Sequence, residues 1–93
     1  MIAGVLTLQL IYPQVHSLKE KRSIIQSLFT RLKKRFNIAV CEVSAQDLWQ
    51  RSEVGIVSIN SSTQELERTM DYVVNFIRNE NDLELIDIRL ELI

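Results

Sequence analysis

The stretch Ile2-Ala-Gly-Val-Leu-Thr-Leu-Gln-Leu-Ile-Tyr12-Pro-Gln-Val-His-Ser17-Leu-Lys-Glu20 decides the fold, because its periodicity changes partway along. Leu6, Leu8, Leu10 and Tyr12 recur at every second residue, with Val5, Thr7, Gln9 and Ile11 between them. That alternation predicts a strand over 2–12 with one side turned to a core. Pro13 ends it, since proline has no N–H to give to a ladder. Ser17-Leu-Lys-Glu20 then has the spacing of a capping box, in which serine and glutamate side chains each satisfy the other's backbone N–H. Beyond it Leu18, Ile25, Leu28, Phe29, Leu32 and Phe36 fall within one helical arc, and the helix should stop near Phe36-Asn37.

The rest of the chain repeats this logic. Ile38, Val40 and Val43 predict a strand at 38–43. A further strand at 52–60 carries Val54 and Ile56 on one row and Val57 and Ile59 on the other. The intervening Ser44-Ala-Gln-Asp-Leu-Trp-Gln-Arg51 exceeds a tight hairpin turn, and Ser44 with Asp47 suits the capping of a single helical turn. Ser62-Thr-Gln-Glu65 is a second capping box, followed by an apolar face of Leu66, Met70, Val73, Val74 and Ile77; Asn79-Glu-Asn-Asp82 stops that helix. The last strand, 83–93, is expected to turn Ile86, Ile88, Leu90 and Leu92 inward and Asp87, Arg89 and Glu91 outward.

The resulting order β-α-β-β-α-β implies one α+β domain over 1–93, ferredoxin-like, with two helices on one face of a four-stranded antiparallel sheet. Right-handed crossovers set the strand order 4-1-3-2. In that topology the loop after the first strand and the loop between the second and third leave the sheet at the same end. His16–Arg22 and Gln46–Arg51 should therefore be neighbours, although roughly 30 residues separate them along the chain.

Composition narrows the function classes. The 93 residues hold 11 Lys+Arg and 12 Asp+Glu, a formal charge of −1, with 46% hydrophobic and 25% charged residues. These are values of a soluble globular chain, not of a disordered tail, a collagen-like repeat or a histone-like protein. No apolar run reaches the roughly 18 residues of a membrane span, and no basic-then-apolar leader is visible, so no membrane partner is expected. The single cysteine, Cys41, cannot form an intramolecular disulfide, which suits a reducing cytoplasmic setting. The near-neutral total conceals a split: residues 1–51 carry a net +5 and residues 52–93 a net −6. Complementarity within or between chains accounts for this split. So does a basic surface for an anionic partner.

The catalytic inventory is thin. His16 is the sole histidine, no Cys/His pair has metal spacing, and Gly4 and Gly55 stand alone inside strands rather than in a phosphate loop. Neither an enzyme nor a metal or other cofactor is expected. Cys41 reads as a small packed residue and Asp47 as a loop-fixing cap. The basic residues say more. The first helix carries seven of the eleven Lys/Arg, and Arg31, Lys33, Lys34 and Arg35 complement the dipole of its last turns. Lys19, Lys21 and Arg22 instead crowd the first two turns, where the dipole is already positive and each costs a few tenths of a kcal/mol. Free N–H groups beside such cations make an anion site; pairing with the acidic second half or a neighbouring chain is the other reading. Trp49 is either a plug over the open end of the core or an exposed anchor for a base or protein partner, with Arg51 in reach. The candidate anion or nucleic-acid site is thus His16, Ser17, Lys19, Lys21, Arg22, Trp49 and Arg51.

The open face of the sheet should present Val5, Thr7, Gln9, Gly55, Val57 and Ile59, extended by Ala39, Cys41 and Val43. It has no aromatic, which argues against RNA bases stacking on the sheet. A mildly apolar face of this breadth suggests a homo-oligomer, most simply a dimer, formed through that face or the edge of the second strand. The alternating charges of the last strand are expected to guard the other edge.

His16-Ser-Leu-Lys-Glu-Lys-Arg22, Arg35-Phe-Asn37 and Gln46-Asp-Leu-Trp-Gln-Arg51 resemble the YlxP-like family of small bacterial proteins, a domain of unknown function. The likeness covers essentially the whole chain. It implies a ferredoxin-like fold, a cytoplasmic bacterial protein and no established activity, so no catalytic residue transfers. Genes of the family lie near translation and ribosome-maturation genes, which adds a ribosome- or RNA-related role as an expectation. A non-enzymatic module binding RNA or a ribosomal particle is the leading reading. A protein-interaction or scaffold module and an anion-sensing regulatory domain are the alternatives.

Overall fold

The computed structural model describes residues 1–93. Its elements are β1 (Ile2–Ile11), α1 (Leu18–Arg35), β2 (Ala39–Ser44), β3 (Arg51–Asn60), α2 (Thr63–Arg78) and β4 (Glu84–Leu92). The sheet runs β2-β3-β1-β4 with every neighbouring pair antiparallel. This is the expected ferredoxin-like order, read from the opposite edge.

The period-two pattern of β1 works as anticipated. Leu6, Leu8, Leu10 and Tyr12 are buried, joined in one cluster by Val54 and Ile56 of β3. Both helices close over this side: α1 contributes Ile25, Leu28 and Leu32, and α2 contributes Leu66, Met70, Val73 and Ile77. The second helix comes so close to β1 at Gly4 that a Cβ there would lie 3.1 Å from Met70 Cε. Ser17 and Ser62 cap the helices by accepting from the N–H groups of Glu20 (3.1 Å) and Glu65 (3.3 Å); only the serine half of each box forms. The far ends of the helices are tied by Arg31, whose guanidinium donates to both carboxylate oxygens of Glu80 and lies 5.7 Å over the Phe76 ring. That pair joins the basic and acidic halves of the chain.

Two expectations about burial are corrected. Leu92, Leu90 and Ile88 do lie on the helix side, opposite Gly4, Leu6 and Leu8. Yet they remain 45%, 39% and 38% exposed, because β4 is an edge strand, α1 packs towards the opposite edge at β2 and α2 lies chiefly over β1 and β3. Ile86 falls at an irregularity in the pairing between Gln9/Leu10 and their partners, and is also exposed. Cys41 is exposed rather than packed. It pairs with Gly55 on the open side of the sheet, where no second layer covers it. The general tendency of cysteine to be buried presumes a covered face.

Tyr12 closes the core at the end of β1. Its ring is fully buried and its hydroxyl lies 2.6 Å from Ser52 Oγ. Burial pushes its pKa from 10.0 up to about 12, partly opposed by the Ser52 hydrogen bond and reinforced by the charge of Glu42. A phenol with a raised folded-state pKa binds more protons folded than unfolded between these values. Its contribution to stability is therefore complete below pH 10 and is lost as pH rises towards about 12. Urea unfolding between pH 9 and 12 (roughly the span set by this linkage) should show Tyr12→Phe falling less steeply than the wild type. At neutral pH the same variant should be about 1 kcal/mol less stable, from the orphaned Ser52 hydroxyl. Parallel pH profiles would refute the assignment.

Candidate functional site

Three segments meet where β1 leaves the sheet: the β1–α1 loop, the first turns of α1 and the β2–β3 loop. The Tyr12 N–H donates to the Gln50 carbonyl (3.0 Å), and Gln50 Nε2 donates to the Val15 carbonyl (3.0 Å). Val15 is buried beneath them. The convergence anticipated from topology is thus present at this rim.

Its centre is Lys21. Counting along α1, residue 21 falls on the same row as Leu18, Ile25, Leu28 and Leu32, so its side chain runs under the helix instead of into solvent. It is 0% exposed. Its ammonium donates to the carbonyls of Ala45 (2.8 Å), Arg51 (2.8 Å) and Leu48, and pairs with Glu42 Oε2 at 2.8 Å. An ammonium has three protons and here faces four oxygens. The three carbonyls take the protons, and the buried Glu42 Oε2 receives charge without a hydrogen bond. Lys21 therefore does not face a phosphate, as had been expected. The loop's own carbonyl dipoles and Glu42 supply its negative partners. Glu42 was missed by sequence reading. The available signal was parity: it shares the core-facing row of β2 with Val40, opposite Val54.

The cage shapes the loop around it. Ala45 is left-handed (φ 61°), and its carbonyl accepts from both Lys21 and the Leu48 N–H. A non-glycine residue held there carries a local backbone cost that the surrounding bonds offset. This backbone bond closes a non-helical turn at 45–48 in place of the single helical turn expected there. Gln46 Nε2, donating to the Glu42 carbonyl at 3.1 Å, braces it where Ser44 with Asp47 had been anticipated.

The other candidate residues divide. Trp49 is not a core plug; Tyr12, Val15 and Lys21 fill that place. It is 45% exposed, with its ring edge-on to His16 at a centroid distance of 6.5 Å. Ser17 is committed to the helix cap. Lys19 and Arg22 face outward into an open polar trough along α1, with Ser23, Gln26, Ser27, Thr30 and Arg31. Neither forms a salt bridge. Arg51 is set apart: only its carbonyl joins the cage, and its side chain starts the row opposite Ile11, on the side of the sheet away from the helices. No group of three or more His, Cys, Asp and Glu residues is arranged to hold a metal ion, and no helix is long and apolar enough to cross a membrane.

Comparison with known proteins gives a family without a function. The family described as protein of unknown function (DUF503) matches residues 3–90. A curated relative, the uncharacterized protein YlxP of Bacillus subtilis (strain 168), is 37% identical over 68 residues, spanning 73% of this chain and 74% of that protein.

Removing one partner of a buried ion pair leaves the other uncompensated, at a cost of about 3–5 kcal/mol. Lys21→Met should lose stability on that scale in urea unfolding, and its Trp49 fluorescence should shift red as the loop loosens. Lys21→Met/Glu42→Leu should recover part of the loss, since no carboxylate is then stranded. A Lys21→Met variant within about 0.5 kcal/mol of wild type would contradict the cage, being no more than an ordinary surface substitution.

Proposed function

The chain belongs to the DUF503 family of proteins of unknown function, and from that premise we propose that it is a non-enzymatic binding module for structured RNA, free or within a ribosomal particle. The observation that carries this reading is the pinned rim. Lys21 spends its charge internally and holds the β2–β3 loop so that Trp49 stands half-exposed against His16. Beside it α1 begins, with Lys19 and Arg22 outward and without acidic partners. Cations at a helix start suit phosphate, and a braced, half-exposed indole suits stacking on a base or ribose. Because the loop is already ordered, binding does not bear the entropy of fixing it. Arg51, on the other side of the sheet, would extend the contact only to a ligand that wraps the rim.

The exposure of Leu48 next to Trp49 supports a second reading, in which the same rim anchors a protein partner. The two separate in one experiment. Structured RNA and ribosomal subunits are titrated at two salt concentrations against wild type, Lys19→Glu/Arg22→Glu and Trp49→Ala. Phosphate-led binding weakens steeply with salt, drops about tenfold or more on the double charge reversal, and loses about 1–3 kcal/mol without the indole. The reversal should not lower the melting temperature and should raise it slightly, because both side chains are exposed and unpaired and a carboxylate suits the positive end of the helix dipole. Absence of binding at low salt, or binding indifferent to the reversal, sinks the RNA reading. A Trp49-dependent protein partner surviving nuclease treatment would put the scaffold reading in its place.

A further inference from the structure

The outer edge of β4 is an unpartnered ladder on the last strand of the sheet. Ala3 and Ile93 exchange both backbone bonds (3.1 and 2.7 Å), so they form a hydrogen-bonded pair. Such pairs alternate along an antiparallel ladder. Asp87, Arg89 and Glu91 therefore bond inward to β1, while Ile88, Leu90 and Leu92 direct their N–H and C=O groups outward. These same three residues form the exposed apolar row on the helix side. The edge has no proline and no charge on that row, the usual devices that prevent pairing. The opposite edge, β2, is shorter at six residues, and its pairing is irregular between Glu42 and Ser44.

We propose that a second copy of this chain docks antiparallel along β4, with Leu90 on the two-fold axis, joining two sheets into one of eight strands. The register follows from charge. Only pairings that set outward-bonding residues against each other close the ladder. Centred on Leu90, Leu90 meets its own copy, Ile88 meets Leu92 twice, and Arg89 meets Glu91 twice. The Arg89/Glu91 positions are the non-hydrogen-bonded ones, where facing side chains approach most closely. Centred on Arg89, arginine faces arginine and Asp87 faces Glu91, which repels. Centred on Ile88, Asp87 faces Arg89 favourably, but the pairing must run through the irregularity near Ile86 that breaks the alternation. The charges expected to guard this edge are thus self-complementary in one register. The same contact covers the apolar row Ile88, Leu90 and Leu92 of both copies. This dimer goes beyond the RNA-binding reading and does not rest on it, since no residue of the rim takes part.

Sedimentation across a concentration series tests it on the full chain, with circular dichroism confirming the fold of each variant. The wild type should dimerise. Arg89→Glu and Glu91→Arg, each replacing two attractions by two repulsions, should each raise the dimer dissociation constant about tenfold or more. An equimolar mixture of the two single variants should recover wild-type association, because every facing pair is again of opposite sign. The double variant Arg89→Glu/Glu91→Arg should recover it too, which keeps the test decisive if one single variant folds poorly. A monomeric wild type at high micromolar concentration, a dimer indifferent to either reversal, or a mixture that stays monomeric would each overturn the proposal.

Discussion

A lysine ammonium enclosed by three loop carbonyls and one carboxylate is the constraint on which the rim of this protein depends. Burying a charge is costly unless every proton finds an acceptor and the net charge is met. Lys21 meets both conditions, but only if Ala45, Leu48 and Arg51 all turn their carbonyls to one point. A six-residue connection that could otherwise sample many conformations is thereby held in one. The left-handed Ala45 and the edge-on contact of His16 with Trp49 are consequences of that convergence.

The cage also redistributes the basic character of α1. Of the cations at its start, Lys21 is spent on the fold, while Lys19 and Arg22 remain free at the surface. Towards its end Arg31 is engaged by Glu80 of the acidic half. What remains outward at the start of α1 is a narrow feature: two cations, a polar trough and a half-exposed indole at one corner of the molecule. A feature of that shape suits a ligand that brings phosphate and a planar surface together. The open face of the sheet, lacking aromatics and carrying the Gln9–Glu53 hydrogen bond, offers no planar platform beside its arginines.

Small size explains the molecule's other prominent surface. A 93-residue chain has too few apolar residues on its two helices to cover four strands from edge to edge. α2 lies chiefly over β1 and β3 and α1 towards β2, and the inner row of β4 is left half-exposed. Apolar surface beside free backbone donors and acceptors is a natural place for another strand. The Asp-Arg-Glu alternation on the opposite row decides which register such a strand can take.

The elements, their order and the meeting of the His16 and Trp49 loops were legible in the sequence, because they depend on local quantities. Alternation marked β1 and β3, serine caps marked both helices, and crossover handedness set the sheet order. Lys21 was misread because helix-start electrostatics, a local rule, points towards an anion. Its actual partners are carbonyls 24 to 30 residues further along the chain. Cys41 and the inner row of β4 were misread for a related reason: alternation tells which side of a sheet a residue faces, but not whether anything covers that side. Periodicity, caps and handedness are readable from the chain because each is set by neighbours within a few residues. Which charge is neutralised and which apolar row stays open emerge only on folding, because both depend on where distant backbone groups come to lie.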